Sequence, residues 1–450
     1  MNCKFSERFL QILWNERLIS VRASTTDRRA VRVLSTGIWN RCAGPDFSNA
    51  AVLLDNELCR GDIEVHRYAS EWFTHGHDND PRYNQVCLHV VWQNDLPPDA
   101  PHQTALPTLE LSHCLQRGWR QVLEQVEAAF YPHAREVPPG SCAMRWALTD
   151  DAALSGILES AGSARFMRRG AQILRESALS DIDQVLYEHF FDALGYSANR
   201  QQFRALAQAV PLSALRQCDN YEMAGAILFG TAGLLPDSTR SDIVPQLQPW
   251  VRDAWHYWWQ SGRQIVNITW NPSGSRPLNS IFRRLAGGLF WLKQCNFAPR
   301  QWLAQCLAHA EGKPAQLLRA LSKCAPEETP WQQCYDFHRL SAQPAALLGS
   351  SRLTDIVTNI WLPYLAAQAE CARDEVALQL THDAMKLLPR QHSNLLLDEA
   401  CHRFLTPPSR EKQILRHAIQ QQGMMDIYQK FCLALNHDCN ECPFVCNGTQ

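Results

Sequence analysis

The residues best equipped for chemistry lie between Gly44 and Trp92. Asp46 follows a Gly-Pro turn, and Glu64 lies in the run Gly61-Asp62-Ile63-Glu64-Val65-His66. A histidine series, His66, His75, His77 and His89, overlaps this acidic pair and encloses Asp78 and Asp80. Paired carboxylates suit a hard cation such as Mg²⁺, whereas imidazole pairs such as His75-x-His77 favour zinc, iron or manganese. His66 can also serve as a proton acceptor.

The elements that must position these groups follow from alternation. In a strand, side chains change face at every residue. Asp62, Glu64 and His66 therefore share one face, and Ile63 and Val65 the other, which can enter a core. Around His89, the residues Val86, Leu88, Val90 and Trp92 alternate against Cys87, His89 and Val91. Taken alone, a single histidine on a nearly apolar strand reads as a satisfied core residue.

Residues 5–20 have the apolar spacing of a short helix, with Ser6 and Glu7 placed to cap it. Strand-like runs follow at 30–34, 50–54, 62–66 and 86–92, separated by turn signals at Gly37, Gly44-Pro45, Asp55-Asn56 and Gly61. Leu109–Phe130 has helical spacing. Residues 1–140 thus predict an α/β domain with a sheet of about four strands. After Pro138-Pro139-Gly140 the strand pattern gives way to helices with caps and Pro/Gly breaks, so residues 141–450 predict a large all-helical region. The fold class is α+β. Within the helical part, Arg283 and Arg284 stand with Arg276 at a Pro-initiated helix start. They read either as an anion or phosphate contact or as a solvated basic face. The small residues around Gly225 and Gly230 lack the strand and lysine of a phosphate loop and predict close helix packing.

Near the C-terminus, Cys432, Cys439, Cys442 and Cys446 give the spacing C-x6-C-x2-C-x3-C. Thiolates so placed can bind Zn²⁺ or an iron–sulfur cluster, with Cys142 as a reserve ligand.

Composition narrows the classes. The chain has 450 residues and a formal net charge of −2, and its first 140 residues carry 14 Lys and Arg against 17 Asp and Glu. No global basic charge argues for nucleic acid, and the slightly acidic site region suits a cation better than a phosphate backbone. No apolar run approaches the length of a membrane span, and the start lacks the pattern of a secretory signal. The 17 cysteines are scattered and odd in number, which fits a reducing cytoplasm rather than a disulfide framework. Oligomeric state is not legible.

These motifs resemble an uncharacterised family, domain-of-unknown-function family 2851, along essentially the whole chain. The resemblance rests on Asn40…Gly44-Pro45-Asp46-Phe47, Gly61–His66, His75-Gly76-His77…Asp80…Tyr83 and Leu88–Val91. Further on it includes Leu228-Phe229-Gly230…Ala232-Gly233-Leu234, Arg276-Pro277…Asn279 and Cys439-x-x-Cys442. The family implies no activity. The N-terminal part is also similar to the restriction-endonuclease-like nuclease core, in which Pro-Asp is followed by Asp/Glu-x-Lys. That similarity implies a metal-dependent nuclease or phosphodiesterase acting on nucleic acid, with Mg²⁺ or another divalent ion on Asp46 and Glu64. His66 stands where the lysine belongs, and an imidazole cannot supply a constant positive charge. Two alternatives stay open. One is a transition-metal hydrolase with His66, His75, His77 and His89 as ligands and Asp46 or Glu64 as base. The other is a non-catalytic scaffold or binding protein whose polar motif is a buried network.

Overall fold

The computed structural model describes residues 6–20, 22–40, 44–97, 106–116, 141–196, 198–237, 242–271, 277–323, 329–392, 394–405 and 407–433. The chain divides into two compact units. One comprises residues 1–161, 393–415 and 420–450, the other residues 162–392 and 416–419.

The first unit opens with helix α1 (Glu7–Asn15), capped by Ser6, whose hydroxyl accepts the Phe9 N–H. Six strands then form one mixed sheet: β1 (Val31–Ser35), β2 (Ile38–Trp39), β3 (Phe47–Leu54), β4 (Glu57–Tyr68), β5 (Val86–Gln93) and β6 (Thr108–Glu110). Their order is β1-β3-β4-β5-β6, with β2 also paired to β3. The expectation of about four strands is corrected by two short ones. Strand β2 is only two residues long, and β6 occupies the start of the stretch whose spacing suggested a helix from Leu109. Three residues are too few to show a period of two, and pairing with β5 rather than local pattern decides their state. Residues 117–130 of that predicted helix lie outside the described residues.

The β3–β4 hairpin turns at Asp55-Asn56, both at positive φ, the two-residue turn whose twist matches the flanking strands. The β4–β5 pair is parallel, so the chain between them must cross back along the sheet rather than turn tightly. That crossover, residues 69–85, contains the short helix α2 (Glu71–Thr74) and two 3-10 turns, and it carries His75 and His77. Gly61 marks where β5 starts beside β4. A Cβ there would lie 2.4 Å from the Gln85 carbonyl oxygen. Ile63, Val65, Leu88, Val90 and Leu109 join Leu10, Ile12, Leu13 and Trp14 of α1 in one apolar cluster. A separate cluster gathers Trp146, Leu154 and Leu158 with Leu397, Phe404, Met424 and Tyr428, and Cys142 and Cys432 pack against it. Cys439, Cys442 and Cys446 lie outside the described residues.

The second unit is helical. Among its described residues the β structure is limited to two isolated bridges, Cys334 with Leu340 and Pro389 with His417. Its core stacks Phe190 on Trp291 at 3.9 Å between ring centroids, beside Trp361. Close packing at Gly230 is real: a Cβ would meet the Trp258 ring at 2.2 Å. Both readings of Arg283 are corrected. The side chain is fully buried, and its donors go to the carbonyls of Leu278, Trp331, Gln332, Cys334, Ala345 and Ala346. It staples three chain segments and is neither solvated nor free to take an anion. No helix among the described residues is long and apolar enough to cross a membrane.

Candidate metal centre

Strand β4 delivers Glu64 and His66 on one face, as alternation requires, while Ile63 and Val65 enter the core. Parallel register sets Glu64 opposite His89 and His66 opposite Val91 on β5. At the end of β4 the chain enters the crossover, whose first turn is α2. Gly76, at φ +74, then takes the left-handed conformation that swings His77 back toward the strand. His75 and His77 thereby face the β4 side chains from the loop.

Three imidazole nitrogens converge, with a Glu64 oxygen beside two of them. His75 Nδ1 lies 3.2 Å from His66 Nε2. His66 Nε2 is 3.4 Å and His77 Nε2 3.3 Å from Glu64 Oε1. One ring nitrogen from each of His66, His75 and His77 lies within 4.8 Å of the other two. Ligands at the bond lengths of a tetrahedral zinc-type ion stand about 3.4 Å apart, so the observed spacing fits a coordination polyhedron. Glu64 and His66 are buried, His77 is half-buried and His75 is exposed, which leaves the centre open toward solvent on the His75 side.

Surrounding groups fix these donors. His89 Nε2 lies 2.9 Å from His66 Nδ1. With His66 Nε2 turned to a metal, Nδ1 carries the proton and donates it to His89, which fixes tautomer and ring orientation. His89 thus stands behind His66, while His75 and His77 stand at the centre itself. Asp46 is held by hydrogen bonds on both oxygens. Its Oδ1 accepts the Gln11 side-chain N–H at 2.7 Å, and its Oδ2 accepts the Val65 N–H at 3.0 Å. Its backbone N–H donates to Glu64 Oε2 at 3.0 Å, leaving Oε1 turned to the imidazoles. Asp80 is a cap, accepting the Arg82 N–H and pairing with the Arg82 guanidinium. Asp78 bonds Asn79.

Three groups near the centre had drawn no functional reading. Gln11 orients Asp46 from α1, and its only signal in the sequence is a polar residue inside the apolar run Leu10–Trp14. Tyr83 stacks on His77 at 3.8 Å between centroids. Trp72 is buried with its ring 5.5 Å from His77 and 5.3 Å from His89. Its indole N–H has no partner among the described residues.

Electrostatics favour a cation. Burial, with the Asp46 charge adding to it, pushes Glu64 up to about 9, and burial with Glu7 raises Asp46 as well. Burial and the neighbouring imidazoles hold His66 down to about 2, and burial with His77 holds His89 to about 3. His77 is lowered by burial and His75. The neutral imidazoles of His66, His77 and His89 thus surround a carboxyl that holds its proton for want of positive charge. A divalent ion would reverse this logic. At pH 7 it must displace the Glu64 proton, while His66 offers its lone pair without competition. Apparent metal affinity is therefore expected to rise about tenfold per pH unit between pH 7 and 8.5. Competition titrations against a chelator of known proton linkage check this, and a flat profile would remove Glu64 from the ligand set.

A family model described as "Protein of unknown function (DUF2851)" matches residues 7–394, a span that contains every residue of this centre. No curated protein and no solved structure matches the chain.

Proposed function

We propose, for a chain that belongs to the DUF2851 family of proteins of unknown function, that the N-terminal sheet holds a transition-metal ion on Glu64, His66, His75 and His77 and acts as a metal-dependent hydrolase. The three imidazole nitrogens within 4.8 Å of one another, with Glu64 Oε1 3.3 to 3.4 Å from two of them, carry this reading. Three nitrogens and one oxygen select zinc, iron, manganese or cobalt over magnesium. Such an ion would polarise a substrate oxygen and lower the pKa of water. Within the chain, His89 and Asp46 keep His66 and Glu64 in place, Trp72 and Tyr83 wall the His77 side, and exposed His75 marks the approach for substrate.

The Mg²⁺-nuclease reading needs two carboxylates and a lysine on one cleft. Here each Asp46 oxygen accepts a hydrogen bond, from Gln11 and from Val65, and the lysine position is a buried, neutral His66. The geometry therefore favours the histidine alternative.

Glu64→Gln keeps the shape and removes the charge. Metal content, measured by mass spectrometry on purified protein, is expected to fall at least about tenfold, because a charged ligand becomes a neutral one. Hydrolysis of chromogenic esters and phosphoesters by the reloaded parent should fall with it and be lost on chelation. Parent protein that takes up neither zinc, iron, manganese nor cobalt would overturn the reading. So would a metal-loaded parent without hydrolytic turnover on either ester class, which would leave a binding or structural centre.

A further inference from the structure

The helical unit holds a second concentration of charge that the metal centre does not explain. Tyr196 sits at φ +54, a left-handed conformation that a non-glycine residue adopts only when its surroundings hold it there. Two guanidinium groups lie on its ring, that of Arg284 with Cζ 4.1 Å and that of Arg352 with Cζ 3.4 Å from the centroid. The two charges are therefore at most about 7.5 Å apart, close enough to repel through a partly buried medium. Arg284 is only 5% exposed.

The hydrogen bonds show which edges of these groups are in use. Arg284 Nη1 donates to the Gly195 carbonyl at 3.3 Å. Arg352 Nη1 pairs with Asp355 Oδ2 at 3.3 Å. Each Nε–H is buried and has no partner among the described residues. What remains on both arginines is the edge formed by Nε and Nη2, one of the two edges by which a guanidinium grips a carboxylate or phosphate bidentately. Among the described residues Asp355 is the acid in contact with the pair, and it meets Arg352 alone. Arg284 also stands in the first turn of the Ile281–Gln294 helix, where the backbone dipole adds positive potential instead of offsetting the charge. Two cations, two unused donor edges and one acid leave the cluster short of negative charge.

We infer that Arg284 and Arg352, gathered on Tyr196, form a binding site for a tetrahedral oxyanion, namely a phosphate or the phosphoryl group of a small ligand. A bidentate guanidinium holds the phosphorus about 4 Å from Cζ, so a single phosphoryl group can span both arginines. The Tyr196 hydroxyl is anchored to Asn279 Oδ1 at 3.3 Å and keeps the ring in place against both guanidinium groups. The ion would satisfy both orphaned donors and remove the repulsion between the two cations.

Inorganic phosphate and adenosine monophosphate, titrated separately into the full-length protein at constant ionic strength, test the site by thermal unfolding and calorimetry. Phosphate at millimolar concentration is expected to raise the unfolding temperature of the parent by about 3 °C, a shift of the size that ligand linkage gives at tenfold excess over Kd. Arg352→Gln, at the more exposed of the two arginines, should abolish the shift while leaving the fold intact. Arg284→Lys keeps the charge but removes the bidentate edge and should weaken binding at least about tenfold. A larger response to the monophosphate ester than to phosphate would assign the site to a phosphorylated small molecule, and the reverse to the free ion. No shift with either, or equal shifts in parent and both variants, overturns the site and leaves the pair as a packing feature of Tyr196.

Discussion

His75→Ala is expected to lower the affinity of the N-terminal centre for zinc at least about 100-fold, since loss of an outer partner alone costs about 10- to 100-fold and His75 is a direct donor in the proposed set. This position is the sharpest test because His75 is exposed, so its removal leaves no cavity and the metal-free protein should unfold at the parent's temperature. His89→Ala should behave differently. It leaves the donor set whole but deprives His66 Nδ1 of its partner at 2.9 Å, so affinity should fall about 10- to 100-fold. Asp46→Asn keeps one acceptor oxygen for Val65 or Gln11 and should retain most of the bound metal. Chelator competition on the three variants reads out this order. A His75→Ala protein with parental affinity would remove the loop histidines from the centre, and Asp46→Asn losing more metal than His75→Ala would restore the carboxylate-pair reading.

The parts of this centre legible in the sequence are those set by local geometry. A period of two places Glu64 and His66 on one face without any knowledge of neighbours, and His75-x-His77 stands out as an imidazole pair. What could not be read depends on register and on backbone donors. His89 looks like a lone core histidine until parallel pairing sets it beside Glu64, where its contact with His66 makes it a positioning residue. Asp46 matches a metal ligand by type and order, yet the Val65 N–H that occupies one of its oxygens is a group every residue but proline possesses. The fold divides similarly. Long strands and capped helices announce themselves through periodicity, whereas two- and three-residue strands such as β2 and β6 exist only because a neighbour pairs with them. Arg283 shows the limit from the other side. Its charge suggests solvent or an anion, and only the tertiary structure supplies the ring of carbonyls that makes burial tolerable.

That burial yields the largest effect on stability. Arg283→Met replaces the side chain with one of similar length and no donors, so the buried carbonyls of Trp331 and Cys334 lose the guanidinium, as do the partly buried carbonyls of Leu278, Ala345 and Ala346. The Gln332 carbonyl suffers less, because the Ala345 N–H also donates to it. An unpaired buried acceptor costs about 1–3 kcal/mol, so the loss should total about 5 kcal/mol. That is a large share of the stability of an ordinary domain. The unfolding temperature of the helical unit should drop by about 10–20 °C. Arg283→Lys separates charge from geometry: an ammonium can reach one group of carbonyls but cannot span the Trp331–Cys334 and Ala345–Ala346 segments together, so about half of the loss should remain. Because Arg283 belongs to the second unit and the metal centre to the first, metal affinity measured below the unfolding transition should be unchanged in both variants. If Arg283→Met unfolds within about 3 °C of the parent, less than the cost of one unpaired carbonyl, the three segments are held by their apolar packing and the guanidinium is not their staple.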